Sequence, residues 1–419
     1  PLRVEVFRRQ EALRQISDKY RGLLASGLRL LEERALHNRR SAGATQENRY
    51  QDFTFRVARN EALAKYRAAF DLAARYAYLA AKAYDYETNL DPYDPASAVP
   101  LLTQIIRSRT LGVVENDEPR IGSGGLADVL ATLHVNFAVL RTQMGIDNPQ
   151  GESGQFSLRH ELFRLRADSD ARWREELEHH RVADLWQVPE FRRYCRPFAP
   201  QDAGAQPGLV IPFSTRIVFG ENFFGWPLGP GDSAYDPTLF ATKIARVGVW
   251  FDDYAGEGLG TTPRVYLVPA GLDIMYVPGS ADLATREWNV VDQRIPTPLP
   301  VGQTALNDPD WIPLHFSLNG TLAEIRRYSS FRAFHNAGFS EDEMTLDSRL
   351  IGRSVWNTRW LLIIPGGTFL ADQTEGLDTF IYGLRATDGA ATDSRGDPRD
   401  GHGISDIKLS FQTYAISGN

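Results

Sequence analysis

One cysteine, Cys195, stands in 419 residues. That excludes an internal disulfide and any cysteine-rich metal site. It leaves export open, because large exported chains often carry no disulfide. No apolar run approaches the ~18 residues that a membrane-spanning helix needs. The most apolar short run, Trp360-Leu-Leu-Ile-Ile364, has the length of a strand. The net charge of −7 provides no basic stripe, which argues against a nucleic-acid partner. There is no G-x-S-x-G elbow, no P-loop and no cysteine–histidine nucleophile pattern. Paired-carboxylate catalysis stays open, because its two acids are distant in sequence. The remaining profile, 42% hydrophobic and 24% charged, is that of a folded chain with room for two domains.

Glycine and proline are absent from Thr45 to Asp91. Within this stretch Leu63, Tyr66, Phe70, Ala73, Ala77, Ala80 and Tyr84 recur at alternating steps of three and four, one face of a helix. A second stripe, Ala62, Ala69, Leu72, Tyr76, Leu79, Ala83 and Tyr86, widens that face, so at least two neighbouring helices are expected against it. Glu61 with Lys65, and Asp71 with Arg75, are acid-first i,i+4 pairs on the other side. Residues 3–38 read as a first helix through Leu13, Ile16, Tyr20, Leu23, Leu24, Leu28, Leu31 and Ala35. The polar segment His37–Asn48, with Gly43, reads as the turn of a long helical hairpin. The chain opens at Pro1, inside apparent helix, so it is expected to be the tail of a longer polypeptide.

Further helices are expected at 97–109, 125–144 and 168–184, with loops at 112–125 and 145–154. Near 200–207 the composition changes and the period falls from 3.6 to 2. Val247, Val249 and Phe251 alternate with Gly248, Trp250 and Asp252, and Ile407, Leu409, Phe411 and Thr413 alternate with polar neighbours. Arg264–Val268 and Trp288–Val291 read as short strands between turns. The expected fold is therefore α+β: a helical hairpin and bundle over 1–200, then an antiparallel β-sandwich over 205–419.

Two loops offer candidate sites. Asp388, Asp393, Asp397 and Asp400 lie in a glycine-rich segment that supplies oxygen ligands for calcium, although not at EF-hand spacing. The alternative is a solvated hairpin loop with aspartate and glycine as turn formers. Phe223, Phe224, Trp226 and Tyr235 crowd a second glycine-rich loop, which suits sugar stacking or an interface anchor, or else internal packing. Two weaker patterns count for less. Gly122-Ser-Gly-Gly-Leu-Ala127 fits a loose dinucleotide fingerprint but lacks the apolar strand before it. His179 and His180 are adjacent, so on a helix they diverge. No cofactor other than calcium is expected, and no catalytic residue is assigned.

Tyr66–Asn89, Phe191–Phe198, Phe224–Pro237, Ile351–Thr368 and Ile404–Tyr414 together resemble the C-terminal region of very large secreted bacterial proteins of the laminin-G-like, multifunctional type. The resemblance implies an extracellular or cell-surface module, non-enzymatic, that works through assembly or adhesion with a protein partner or with itself. In element order the chain is similar, more distantly, to the C-terminal region of Tc toxin A subunits, which implies an assembly or translocation role as an alternative. A secreted glycan-binding or carbohydrate-active sandwich is the third expectation. Membrane insertion is not expected. The hairpin tip carries Arg39, Arg40 and Arg49, and each charge at bilayer depth costs on the order of 2.5–3.5 kcal/mol.

Overall fold

The computed structural model describes residues 2–47, 53–101, 114–115, 118–119, 126–254, 258–280, 282–289, 327–335, 344 and 349–417. The chain divides into two compact units, Pro1–Ala73 and Ala74–Asn419. The composition change near 200–207 falls inside the second unit. The fold is a mixture of helices and antiparallel sheets.

The first unit holds helix α1, Leu2–Glu47, and the start of α2, Phe53–Thr88. At 46 residues α1 is about 70 Å long. It runs through most of the segment expected to turn. Residues 37–47 contain no proline and only one glycine, and Ala42, Ala44, Gln46 and Glu47 are good helix formers. A Cβ built on Gly43 would meet nothing within 4 Å, so that glycine marks no close contact. Residues 48–52 lie outside the described residues. Glu61 and Lys65 form the expected pair at 2.7 Å, whereas the side chains of Asp71 and Arg75 lie outside the described set.

At least two helices were expected against the seam of α2, and among the described residues it is the C-terminal part of the seam that is covered. Tyr66 is 40% exposed, whereas Ala77, Ala81 and Tyr84 are buried with Ala98, Leu101 and, from α3 (Leu126–Gln143), Val129 and Leu133. Small alanines permit the close approach, and the Tyr84 hydroxyl donates to the Ala96 carbonyl at 2.6 Å. Most of the helix expected at 97–109, and the glycines of the Gly122–Ala127 pattern, lie outside the described residues.

The body of the second unit carries two larger sheets. The first is three-stranded, in the order β1 (Gln150–Ser157), β10 (Asp406–Ile416), β4 (Ala241–Asp252). The second is five-stranded, in the order β8 (Phe331–Arg332), β5 (Arg264–Pro269), β9 (Trp360–Pro365), β3 (Gly208–Phe213), β2 (Arg181–Val182). All pairings within them are antiparallel. The expected alternation in β10 is present: Ile407, Leu409, Phe411 and Thr413 are buried and their neighbours half-buried. Strand β9 is buried at every position because it has a partner on each edge and packed faces on both sides. Apolar residues of both sheets join one core cluster. A separate two-stranded ribbon, β6 (Asp273–Tyr276) with β7 (Thr285–Trp288), meets the end of α2.

Three local readings need correction. Part of the loop expected at 145–154 is strand β1, which runs on to Ser157. Its Gly-Glu-Ser-Gly-Gln sequence carries no apolar alternation, and the ladder with β10 supplies the order instead. The helix expected at 168–184 is shorter, α4 (Asp170–His179), and buries Trp173 and Leu177 as anticipated. Helix α5 (Gln373–Tyr382) was not anticipated. The Asp372 carboxylate caps its first turn, and Leu377, Phe380 and Ile381 are fully buried.

Candidate functional site

The C-terminal turn of α2 enters the β body through an unusually polar socket. Tyr86 is fully buried; its hydroxyl donates to Asp273 Oδ2 at 2.9 Å and accepts from the Ser354 amide at 2.9 Å. Asp273, at the start of β6, also accepts from Arg353 Nη2 at 2.8 Å, from Arg353 Nε at 3.1 Å and from Asn357 Nδ2 at 2.7 Å. Arg353 Nη1 reaches the Tyr328 hydroxyl at 2.8 Å. Neither Asp273 nor Arg353 has any exposed side-chain surface. Burial opposes the Arg353 charge, but Asp273 outweighs it and holds the guanidinium above its ordinary pKa. Burial likewise raises Tyr86 well above a normal phenol, with Asp273 acting the same way.

Neighbouring residues of the helix repeat the pattern. Glu87 pairs with Lys243 of β4, whose side chain is fully buried. Asp85 accepts from Arg286 Nη2 at 2.7 Å, and that guanidinium lies 4.0 Å from the Trp288 ring centroid. Asn89, in the left-handed region at φ 46°, ends the helix; its amide donates to the Tyr276 carbonyl at 2.8 Å and accepts from Trp288 Nε1 at 2.7 Å. Asparagine tolerates this backbone better than most residues. Each polar group here has a protein partner, so the socket is a joint rather than a ligand site.

The four aromatic candidates separate. Phe223, Phe224 and Tyr235 are buried at 0%, 6% and 3% exposure. Phe223 stacks on Phe156 at 3.9 Å between centroids and lies 5.7 Å from Phe411. Phe224 sits edge-on to Phe213, and the Tyr235 hydroxyl donates to the Phe411 carbonyl at 3.2 Å. These three belong to the core. Trp226 reaches solvent at 48% exposure, beside Phe219 at 60% and Leu228 at 49% on the same loop. The loop is firmly built. Asn222 Oδ1 accepts from the amides of Phe224 and Trp226, Asn222 Nδ2 donates to the Glu161 carbonyl, and Trp226 Nε1 donates to the Leu162 carbonyl at 3.0 Å.

The aspartate loop is organised by arginines. Arg399, fully buried, donates to Asp393 Oδ2 at 2.9 Å and to Glu375 Oε1 at 2.8 Å. Arg385 clasps Glu375 through two bonds, at 3.0 and 2.7 Å, and reaches Asp397 at 3.1 Å. Arg181 and Arg395 hold Asp378. The hydrogen bonds from Arg385, and then those from Arg399, take Glu375 down to about 2 against the burial that opposes them. Asp388 is exposed and separate, and Asp400 caps the His402 amide at 2.9 Å. Calcium at this loop would have to displace Arg399 from Asp393 and Arg385 from Asp397. Among the described residues no group of three His, Cys, Asp or Glu side chains converges as a metal site.

Asp253, Asp400 and His402 line a cavity of about 180 Å³ with Leu259, Phe380 and Ile404. That is small beside the roughly 300–1,000 Å³ of most ligand pockets. No helix among the described residues is long and apolar enough to cross a membrane. Sequence reasoning missed the socket. Its bonded partners lie up to 268 positions apart, and the local signal, Asp85 and Glu87 flanking a tyrosine on an otherwise apolar stripe, was hidden by the stripe. No family model matches the chain, and no curated protein matches it.

Proposed function

We propose that the chain is a non-enzymatic assembly or adhesion module of a large secreted or cell-surface protein, with residues 205–419 acting as a β-sandwich head. The observation that carries this reading is the exposed leucine face of α1. Leu23, Leu24, Leu28, Leu30 and Leu31 are 41–71% exposed. At 100° per residue they cover an arc of about 160°. Burying a leucine is worth about 1.5–3 kcal/mol, so covering five would contribute on the order of 10 kcal/mol before the losses of association. A face that wide suits more than one neighbouring helix. The resemblance to giant secreted chains supports the same reading.

Sedimentation of the full chain tests it. Self-association that falls with Leu24→Glu, Leu28→Glu and Leu31→Glu combined, at unchanged melting of the β body, is the expected result. A wild-type chain that stays monomeric at the highest attainable concentration would refute the self-assembly form of the proposal. A second reading, glycan binding, is favoured by Trp226 alone. Its indole is half-exposed and held in place by the bond to Leu162.

A further inference from the structure

Among the described residues strand β1 is an open sheet edge. Eight consecutive residues, Gln150–Ser157, pair with β10 in unbroken register. The one irregularity in this sheet, between Gln412 and Thr413, lies on the β4 side. On its other edge β1 has no strand partner among the described residues. Gln150, Gly151, Glu152, Ser153 and Gln155 are all exposed.

Two contacts fix which backbone groups face outward. The Glu152 carbonyl accepts from Thr413 Oγ1 at 3.1 Å, so the even-numbered residues present their backbone to β10. The Ser157 amide donates instead to Glu161 Oε1 at 3.3 Å, away from the ladder. Alternation along the strand then turns the N–H and C=O of Gly151, Ser153 and Gln155 outward. Edge strands are ordinarily guarded by lysine, proline, a bulge or short length. This one has none of these within its span; Pro149 stands just before it.

We propose that two copies of the chain join β1 to β1 across a two-fold axis at Ser153, making one six-stranded sheet from two three-stranded ones. The sequence suits that register. Ser153 meets its own copy, Gly151 meets Gln155, and Glu152, the strand's one charge, lands opposite Gly154 rather than opposite itself. A two-fold pairing satisfies the same outward groups on both copies and closes the assembly at two. The proposal deepens the assembly reading by naming a surface, and it is independent of the α1 face.

Cross-linking separates the two. A hydrogen-bonded antiparallel pair places Cα atoms about 5.5 Å apart, inside the window of a disulfide. The native Cys195 is 1% exposed and its thiol is pushed up by burial, so it does not compete. Ser153→Cys in the full chain should give a covalent dimer under mild oxidation, both with native α1 and with its three leucines replaced by glutamate. Thr238→Cys, also exposed, is the control for random collision. Ser153→Lys should lower dimerisation at least about tenfold, because it sets two like charges opposite each other. Its melting point should stay unchanged. Cross-linking of Ser153→Cys no better than the control overturns the proposal, and so does Ser153→Lys in the chain with the three α1 leucines replaced if it pairs as well as that chain with Ser153 intact. Loss of association on changing α1, with the Ser153 cross-link retained, would leave this inference standing while locating the other contact.

Discussion

Asp273→Ala would test whether the socket holds the end of α2. The substitution removes the carboxylate that accepts from Tyr86, Asn357 and both Arg353 nitrogens Nε and Nη2. It leaves the Arg353 guanidinium, with no exposed side-chain surface, bonded through Nη1 to Tyr328. Removing one partner of a buried pair costs about 3–5 kcal/mol, chiefly from the stranded charge. Most of that penalty should vanish in Asp273→Leu with Arg353→Met, because apolar replacement of both partners is often neutral. Urea denaturation followed by tryptophan fluorescence would measure it, with Trp288 and Trp356 beside the socket as reporters. A loss under about 1 kcal/mol for the single change would refute the reasoning, as would a double variant no more stable than the single one. The first outcome would mean that water reaches Arg353, and the second that the loss lies in packing rather than in charge.

The aromatic loop and the arginine cluster give two further tests. Phe223→Ala should destabilise by about 3–5 kcal/mol through a cavity among Phe156, Phe224, Tyr235 and Phe411, whereas Trp226→Ala should cost far less in denaturant titration while abolishing any glycan-array binding. Glu375 is lowered from 4.5 to about 2 in the folded chain, so its stabilisation is full above its unfolded value and is lost as pH falls towards the folded one. The stability difference between wild type and Glu375→Gln should therefore be constant near neutral pH and shrink between about pH 4.5 and 2; a difference that survives at the acid end would show that the loss does not come from the charge of this carboxylate.

Much of the fold was legible where burial is one-sided. The alternation in β4 and β10 gives strands because each side chain's fate follows from its own position, and the continuous apolar run of β9 gives one because both of its faces are buried. Helix α2 was legible for a similar reason. Strand β1 was not, because an exposed edge places no demand on side-chain polarity, and its order comes from a neighbour some 250 residues away. The aromatic loop shows a different limit. Composition put Phe223, Phe224, Trp226 and Tyr235 together but could not say which ring faces out. Asn222 decides that, by bonding the loop's own amides and directing Phe223 and Phe224 inward. For the aspartate loop, composition showed two arginines diluting its charge but not which carboxylates they hold: Arg399 takes Asp393, and Arg395 reaches outside the loop to Asp378.

The last turns of α2 serve two neighbours at once. Ala77, Ala81 and Tyr84 meet α3, and Asp85, Tyr86 and Glu87 meet the sheet body a turn later. Both sets hang on one rigid screw, so their angular phase is locked. Inserting a single residue at Lys82 would rotate one set against the other by about 100° and shift it by about 1.5 Å. Neither the alanine face nor the charged socket could then be filled without emptying the other. The helix is thus constrained in count as well as in composition. Even seven added residues, which restore the phase to within about 20°, would shift one set by about 10.5 Å along the axis, so both sets could not be filled together.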